Sequence, residues 1–230
     1  MKIRILLGIC GCLSAGVMLG GCLGSKGTLA PELMDKSPFT GNPCAAPCWY
    51  GLEIAKSNES EVVSTLKSLG FIDQETLKIK SSSGPGFDPK ITVPGKWITA
   101  DCIRPKTHCL DVDIADGRLR DIKIILNYKI TFDEVVKDIG NPDKVVRTDY
   151  SAEVIACYIR LVWTQKQLVL VSKRFPGAKG CDYSQTAASS GLVDASLEIA
   201  EVDFLPNEEI NQMIMESEKV GNYQGVNPKK

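Results

Sequence analysis

The chain has 230 residues, with 27 Lys and Arg against 28 Asp and Glu, a formal charge of -1, and 43% hydrophobic residues. That near-neutral balance argues against a nucleic-acid binder, which needs Lys and Arg clustered for phosphates. The length beyond an N-terminal leader and tether, roughly 190 residues, suits one compact domain or two small ones.

The first residues read "MKIRILLGICGCLSAGVMLGGCLGS". Lys2 and Arg4 form a basic head, and an apolar run without charge follows from Ile5 to Leu19. Basic, then apolar, then small is the layout of a secretory signal. The run is short of the ~20 residues a membrane span needs. Its end, Leu19-Gly20-Gly21-Cys22, resembles the lipobox of bacterial lipoprotein signals. The resemblance implies cleavage between Gly21 and Cys22 and lipid on the Cys22 thiol. Two or three acyl chains hold a protein firmly to a membrane, each buried methylene contributing about 0.8 kcal/mol. Removal of residues 1–21 leaves 25 basic and 28 acidic residues, a formal -3. Residues 22–43 are rich in Gly, Ser, Pro and Thr without helical or strand period, which predicts a lipidated N-terminus on a flexible tether.

Nine cysteines divide by position. Cys10 and Cys12 leave with the signal and Cys22 carries lipid. Cys44, Cys48, Cys102, Cys109, Cys157 and Cys181 remain, an even set that reads as disulfides in an exported chain. Six cysteines allow about 15 connectivities, so spacing offers only candidate pairs. Cys44 with Cys48 would close a loop between Pro43 and Trp49. Cys102 with Cys109 would brace "IRPKTH", and Cys157 with Cys181 would tie a hairpin to a following loop. Loops this short contribute roughly 2–3 kcal/mol each at best.

Two segments resemble one another at an offset of seventy residues. Val62 meets Phe132, Leu66 meets Val136, Leu69 meets Ile139, Gly70 meets Gly140 and Asp73 meets Asp143. Each predicts a short amphipathic helix, with Val62, Leu66 and Leu69 on one face and Phe132, Val135, Val136 and Ile139 on the other copy's face. Thr131 with Glu134 forms a capping box, and Asn58 with Glu61 a near equivalent. This capping role also accounts for the Asn58-Glu59-Ser60 triplet. Gly70 and Gly140 are expected as left-handed stops, and Pro142 prevents continuation. Strands are expected over 76–80, 90–102, 108–117 and 118–128 after the first helix. After the second they are expected over 144–150, 154–164, 167–175 and 195–205. A three-residue hairpin loop at "ADG" would set Leu110, Val112 and Ile114 on one face with Ile122, Ile124 and Leu126. Asp111, Asp113 and Lys123 would then share a wet face. Loops are expected at 81–89 and 176–191, a last helix near Pro206, and a frayed tail over 218–230.

The expected fold class is therefore α+β. It has two tandem repeats, each a short helix followed by antiparallel strands, with helices packed on one sheet face. The repeats span 44–127 and 128–217. The patterns "PCWYGL…LKSLGF" and "TFDEVVKDIGNPDKVV" resemble bacterial lipoproteins that open on a "PCWxGI" motif. Those resemble the small outer-membrane lipoprotein A and β-lactamase-inhibitor-protein fold, built from tandem helix-plus-sheet repeats. The resemblance covers Cys44 to Leu205, and it implies binding and scaffolding rather than catalysis. It carries over no binding residue.

Catalytic constellations are sparse. Three residues separate Cys44 from Cys48 and Trp49 follows them, whereas thioredoxin-type sites use two and place Trp before the first cysteine. Cys44, Cys48, Cys109 and the sole histidine, His108, make four zinc donors on paper. The adjacent His108 and Cys109 point to opposite strand faces, which favours staples over metal. One histidine also leaves most hydrolytic triads without a base. Asp111, Asp113 and Asp116 lack calcium-loop order and read as a solvated face. Trp97 and Trp163 are expected in the core, with a ligand-stacking platform as the lesser reading. The expectation is a non-enzymatic chain without cofactor or metal. It is membrane-bound through Cys22 and partnered by an envelope protein that docks on the exposed sheet face and the 81–90 and 176–191 loops. The alternatives are an envelope hydrolase, a thiol-disulfide enzyme, or an inhibitor of a soluble enzyme.

Overall fold

Alternation of apolar and polar residues along 92–131 produces the long strands that carry the molecule. The protein is described by a computed structural model covering residues 34–86, 91–151, 155–173, 175–176, 197–219 and 223–224. Gly21, Cys22, Cys181 and most of the 176–191 loop lie outside these residues.

The chain enters through α1 (Ser37–Thr40), the two-residue strands β1 (Cys48–Trp49) and β2 (Leu52–Glu53), and α2 (Glu59–Ser68). A meander of β3 (Lys78–Pro85), β4 (Thr92–Cys102), β5 (Thr107–Ala115) and β6 (Arg118–Thr131) follows. Then come α3 (Phe132–Ile139), β7 (Lys144–Ser151), β8 (Ile155–Trp163), β9 (Leu168–Ser172) and β10 (Phe175–Pro176). The described chain closes with β11 (Glu198–Phe204), α4 (Asn207–Lys219) and β12 (Tyr223–Gln224). This is a mixed α/β fold, mostly one large antiparallel sheet with few helices. Its strands run in the order β12-β7-β8-β9-β11-β6-β5-β4-β3, with β10 added beside β8.

The sheet carries a main apolar cluster on one side and a smaller one on the other, at β7–β9. Ile98, Ala100, Leu110, Val112, Ile122, Ile124, Val202, Phe204, Leu168 and Leu170 share one cluster with Val62 and Leu66 of α2 and with Phe132 and Val135 of α3. A second cluster joins Val146, Val162, Val169 and Val171 to Ile210 of α4. Successive strand residues face opposite ways, so α4 lies against the face opposite α2 and α3. The helices that open the two expected repeats, α2 and α3, join one cluster, while α4 covers the other side of β9, which is apolar at every position from Leu168 to Val171.

Local chemistry explains the boundaries. Asn58 accepts from the Glu61 N–H at 3.1 Å and Glu61 accepts from the Asn58 N–H at 2.8 Å, a reciprocal cap. Leu69, in an extended conformation, ends α2, so Gly70 is not the left-handed stop expected of it. Gly140 does take a positive φ of 83°, and its N–H reaches Val136 O at 2.9 Å. The β5–β6 turn is tighter than expected. Asp116 and Gly117 both have positive φ, a two-residue turn. A bulge after Asp113 then restores the Leu110–Ile124 and Val112–Ile122 pairs. Ser81 to Pro85, expected as loop, extends β3 because Thr92–Lys96 offers a complete partner strand. Pro85 ends this edge strand, where a missing N–H is tolerated. In the segment expected to fray, Tyr223–Gln224 pairs with β7. The repeat boundary expected at 127 falls inside β6, which runs unbroken to Thr131.

The expected tether is anchored from Asp35 onward. Asp35 is 4% exposed and Phe39 is buried. The Asp35 carboxylate accepts from Ser37 N at 3.0 Å, Ser37 Oγ at 2.6 Å, Trp49 Nε1 at 2.8 Å and Tyr50 OH at 3.3 Å. Tyr128 OH donates to the Asp35 carbonyl. Burial pushes the Asp35 carboxyl above the usual range, and the donors from Ser37, Trp49 and Tyr50 pull it back. Cys44 is bonded to Cys48 and Cys102 to Cys109, each pair with Cα atoms 5.6 Å apart.

Two outcomes follow from this packing. Asp35→Ala leaves the buried Trp49 N–H without an acceptor and lowers stability by about 1–3 kcal/mol, read from the urea midpoint. A Cβ on Gly95 would lie 2.3 Å from Ile114 O. Gly95→Ala therefore costs about 1–3 kcal/mol by overpacking β4 on β5, read by the same titration.

Candidate functional site

The face of β3–β6 opposite the main core is the candidate site. Strand period sets its members: where Ile98, Ala100 and Cys102 face the core, Trp97, Thr99 and Asp101 face away. Trp97 lies opposite Lys80 on β3 and Asp113 on β5. It is 52% exposed, which corrects the core placement expected for it. Its sequence neighbours Ile98 and Lys96 do not distinguish the two faces; the register with β5 does. Trp163, by contrast, is buried as expected, with Nε1 donating to Gly140 O at 3.1 Å.

Trp97 is held upright rather than left loose. Its Nε1 donates to Asp111 Oδ1 at 3.0 Å, and the other oxygen of Asp111 accepts from His108 Nε2 at 2.9 Å. His108 Nδ1 is 3.9 Å from Asp101 Oδ1. Asp111 thus orients both rings, leaving an aromatic surface with polar groups beside it.

The face becomes more charged and less exposed toward β11. Arg120 Nη1 donates to Asp113 Oδ2 at 2.9 Å and to Asp121 Oδ2 at 3.3 Å, and Nη2 reaches Glu209 on α4. Lys123 lies 3.3 Å from Glu201, and Asp203 is its direct cross-strand neighbour. The wet face expected for Asp111, Asp113 and Lys123 is therefore a half-buried charge network, because α4 shields its β11 end. Asp116 is separate from it, in the hairpin turn. Sequence reading had no signal for Asp121, Asp203, Arg120 or Glu209 as neighbours, since four different elements supply the network.

The other candidates separate. Cys44, Cys48 and Cys109 have their sulfurs in disulfides, and Cys109 is buried while the neighbouring His108 is 44% exposed at its side chain. The four zinc donors possible on paper are thus not brought together as ligands. Among the described residues no group of three or more His, Cys, Asp or Glu is placed to hold a metal ion. No described helix is long and apolar enough to cross a membrane. Of the Cys157–Cys181 pair, Cys181 lies outside the described residues.

No protein-family model, no curated protein and no solved structure matches this chain. Function must therefore be argued from these side chains.

The network carries a pH dependence. Burial, reinforced by Asp113, pushes the Asp121 carboxyl from 3.8 up to about 6, against the pull of Arg120 and Lys123. A carboxyl raised by folding favours the native state when protonated. Its contribution is complete below about 3.8 and is lost as pH rises through about 6. Relative to Asp121→Asn, the native protein should therefore lose about 1–3 kcal/mol of stability between pH values of about 4 and 7. Urea midpoints of both proteins at the two pH values check this.

Proposed function

We propose that this chain is a lipid-anchored extracytoplasmic protein of a bacterial envelope, acting as a non-catalytic protein-binding or scaffold module. The observation that carries the binding reading is Trp97, half exposed and oriented by Asp111 on an open sheet face. Interface hot spots are rich in Trp because a rigid aromatic buries large area at little entropic cost. The charged surroundings, Lys78, Lys80, Asp111 and Asp113, steer a partner and set its register more than they add affinity.

The envelope location rests on the lipobox-like Leu19-Gly20-Gly21-Cys22 and on cysteines used as disulfides, which persist in oxidising compartments. Lipid on Cys22 provides the membrane attachment, and the residues before Asp35 provide the stand-off. The same reading takes the body as two tandem helix-plus-sheet repeats, as in the small outer-membrane lipoprotein A and β-lactamase-inhibitor-protein fold that the sequence resembles. It is supported by the order of elements: α2 leads into β3–β6, α3 leads into β7–β9 and β11, and the last strands of the two sets pair at β6 and β11. The non-catalytic reading is supported by the commitment of Cys44 to Cys48 and of Cys109 to Cys102, which leaves none of these sulfurs as a thiol nucleophile.

The deciding experiment is crosslinking and pull-down of the tagged protein from its own membranes, with Cys22→Ser as the unanchored control. A dominant envelope protein recovered with the anchored form, and bound about 30-fold more weakly by Trp97→Ala, is the expected result. Recovery of no protein by either form overturns the scaffold reading and turns attention to envelope enzymes. A partner indifferent to Trp97→Ala overturns the assignment of the face.

A further inference from the structure

Where β6, β11 and β8 pass under α4, a cleft of about 410 Å³ opens beside the charge network. Asp203 lines it, at 8% exposure, and its Oδ1 has no hydrogen-bond partner among the described residues. A buried carboxylate oxygen without a donor is costly, on the order of 1–3 kcal/mol or more, so its persistence in a cleft calls for an explanation. The surrounding cations do not remove the deficit. Arg120 is spread over Asp113, Asp121 and Glu209, Lys123 is shared between Glu201 and its cross-strand neighbour Asp203, and Arg160 lines the cleft, yet none of them donates to Asp203 Oδ1. Counting the groups around the cleft, Asp113, Asp121, Glu201, Asp203, Glu209 and Glu216 stand against Arg120, Lys123 and Arg160. The formal balance is negative.

The walls have a second chemistry. Val169, Leu205 and Met213 line the same cleft and give it apolar wall as well as Asp203. A cleft with both apolar wall and a buried carboxylate fits a long side chain with a methylene stem and a cationic head. We infer that this cleft is a receptor slot for a basic side chain, Arg above all, presented by a protein partner. Arg suits it because its planar fork serves several carboxylate oxygens and its stem covers the apolar walls, which a small cation would leave unused. The slot is distinct from Trp97, and the inference stands whether or not the open face takes a partner.

Proton linkage supplies an independent signature. Burial, then Glu201, hold the Asp203 carboxyl well above its usual range, opposed by Lys123 and Arg160, with Asp121 adding to the rise. An entering guanidinium favours the ionised form, so binding should release a proton and strengthen as pH rises.

The test is calorimetric titration of the full chain in detergent with the peptide acetyl-Gly-Arg-Gly-amide, and with the same peptide carrying citrulline in place of arginine. Citrulline keeps the shape and loses the charge. Saturable binding of the arginine peptide, weaker by about 10-fold or more for citrulline and for Asp203→Asn, is expected. Proton release, seen as a heat that depends on the buffer, and tighter binding at higher pH should accompany it. Glu216→Gln, at an exposed position on α4, should weaken binding several-fold and decides the matter if Asp203→Asn does not fold. Trp97→Ala should leave peptide binding unchanged, which separates this slot from the open face. Equal binding of the two peptides, absence of binding, or indifference to both Asp203→Asn and Glu216→Gln overturns the inference.

Discussion

The pairing of β6 with β11 is the constraint on which the rest of the structure depends. It joins the first meander to the strands that follow α3, making one sheet of both. Its two faces have opposite chemistry. Ile122, Ile124, Val202 and Phe204 face the main core, while Lys123 and Asp203 sit side by side on the other face. A slip of one residue would exchange these sets and place a Lys–Asp pair among the core aliphatics, so burial fixes the register. The same register brings Asp203 under α4 and creates the charged cleft. Core formation and site formation are two consequences of one ladder.

The start of the described chain is secured by a different device. Asp35 collects donors from Ser37, Trp49 and Tyr50, and its carbonyl accepts from Tyr128 on β6. The Cys44–Cys48 bond closes the short loop just before Trp49. A segment with tether-like composition is thereby fastened to the central strand.

Charge and aromatic surface divide the outer face between them. Trp97 and His108 share Asp111 at the open end, while Arg120 ties Asp113 and Asp121 to Glu209 at the covered end. The covered end stores electrostatic tension, since burial raises both Asp121 and Asp203. The two proposed binding surfaces adjoin at Asp113, which lies opposite Trp97 and is tied to Arg120.

Much of the architecture was legible in the residues alone. Helices over the Val62 and Phe132 segments, their reciprocal caps, the strand sequence and the two short-range disulfides follow from interactions within a few residues of one another. So does the shared face of Leu110, Val112, Ile122 and Ile124, whereas the pairing of Leu110 with Ile124 depends on the bulge after Asp113. What the tertiary structure decided depends on partners distant in sequence. Trp97 reads as a core tryptophan until the β4–β5 register turns it outward. Ser81 to Pro85 reads as loop until β4 supplies a ladder. Asp35 reads as tether until Trp49 and Tyr128 close on it. The cleft at Asp203 needs β6, β8, β11 and α4 together. Local propensity and periodicity specify elements because they are short-range, whereas faces, burial and shared charges arise only when separate elements meet.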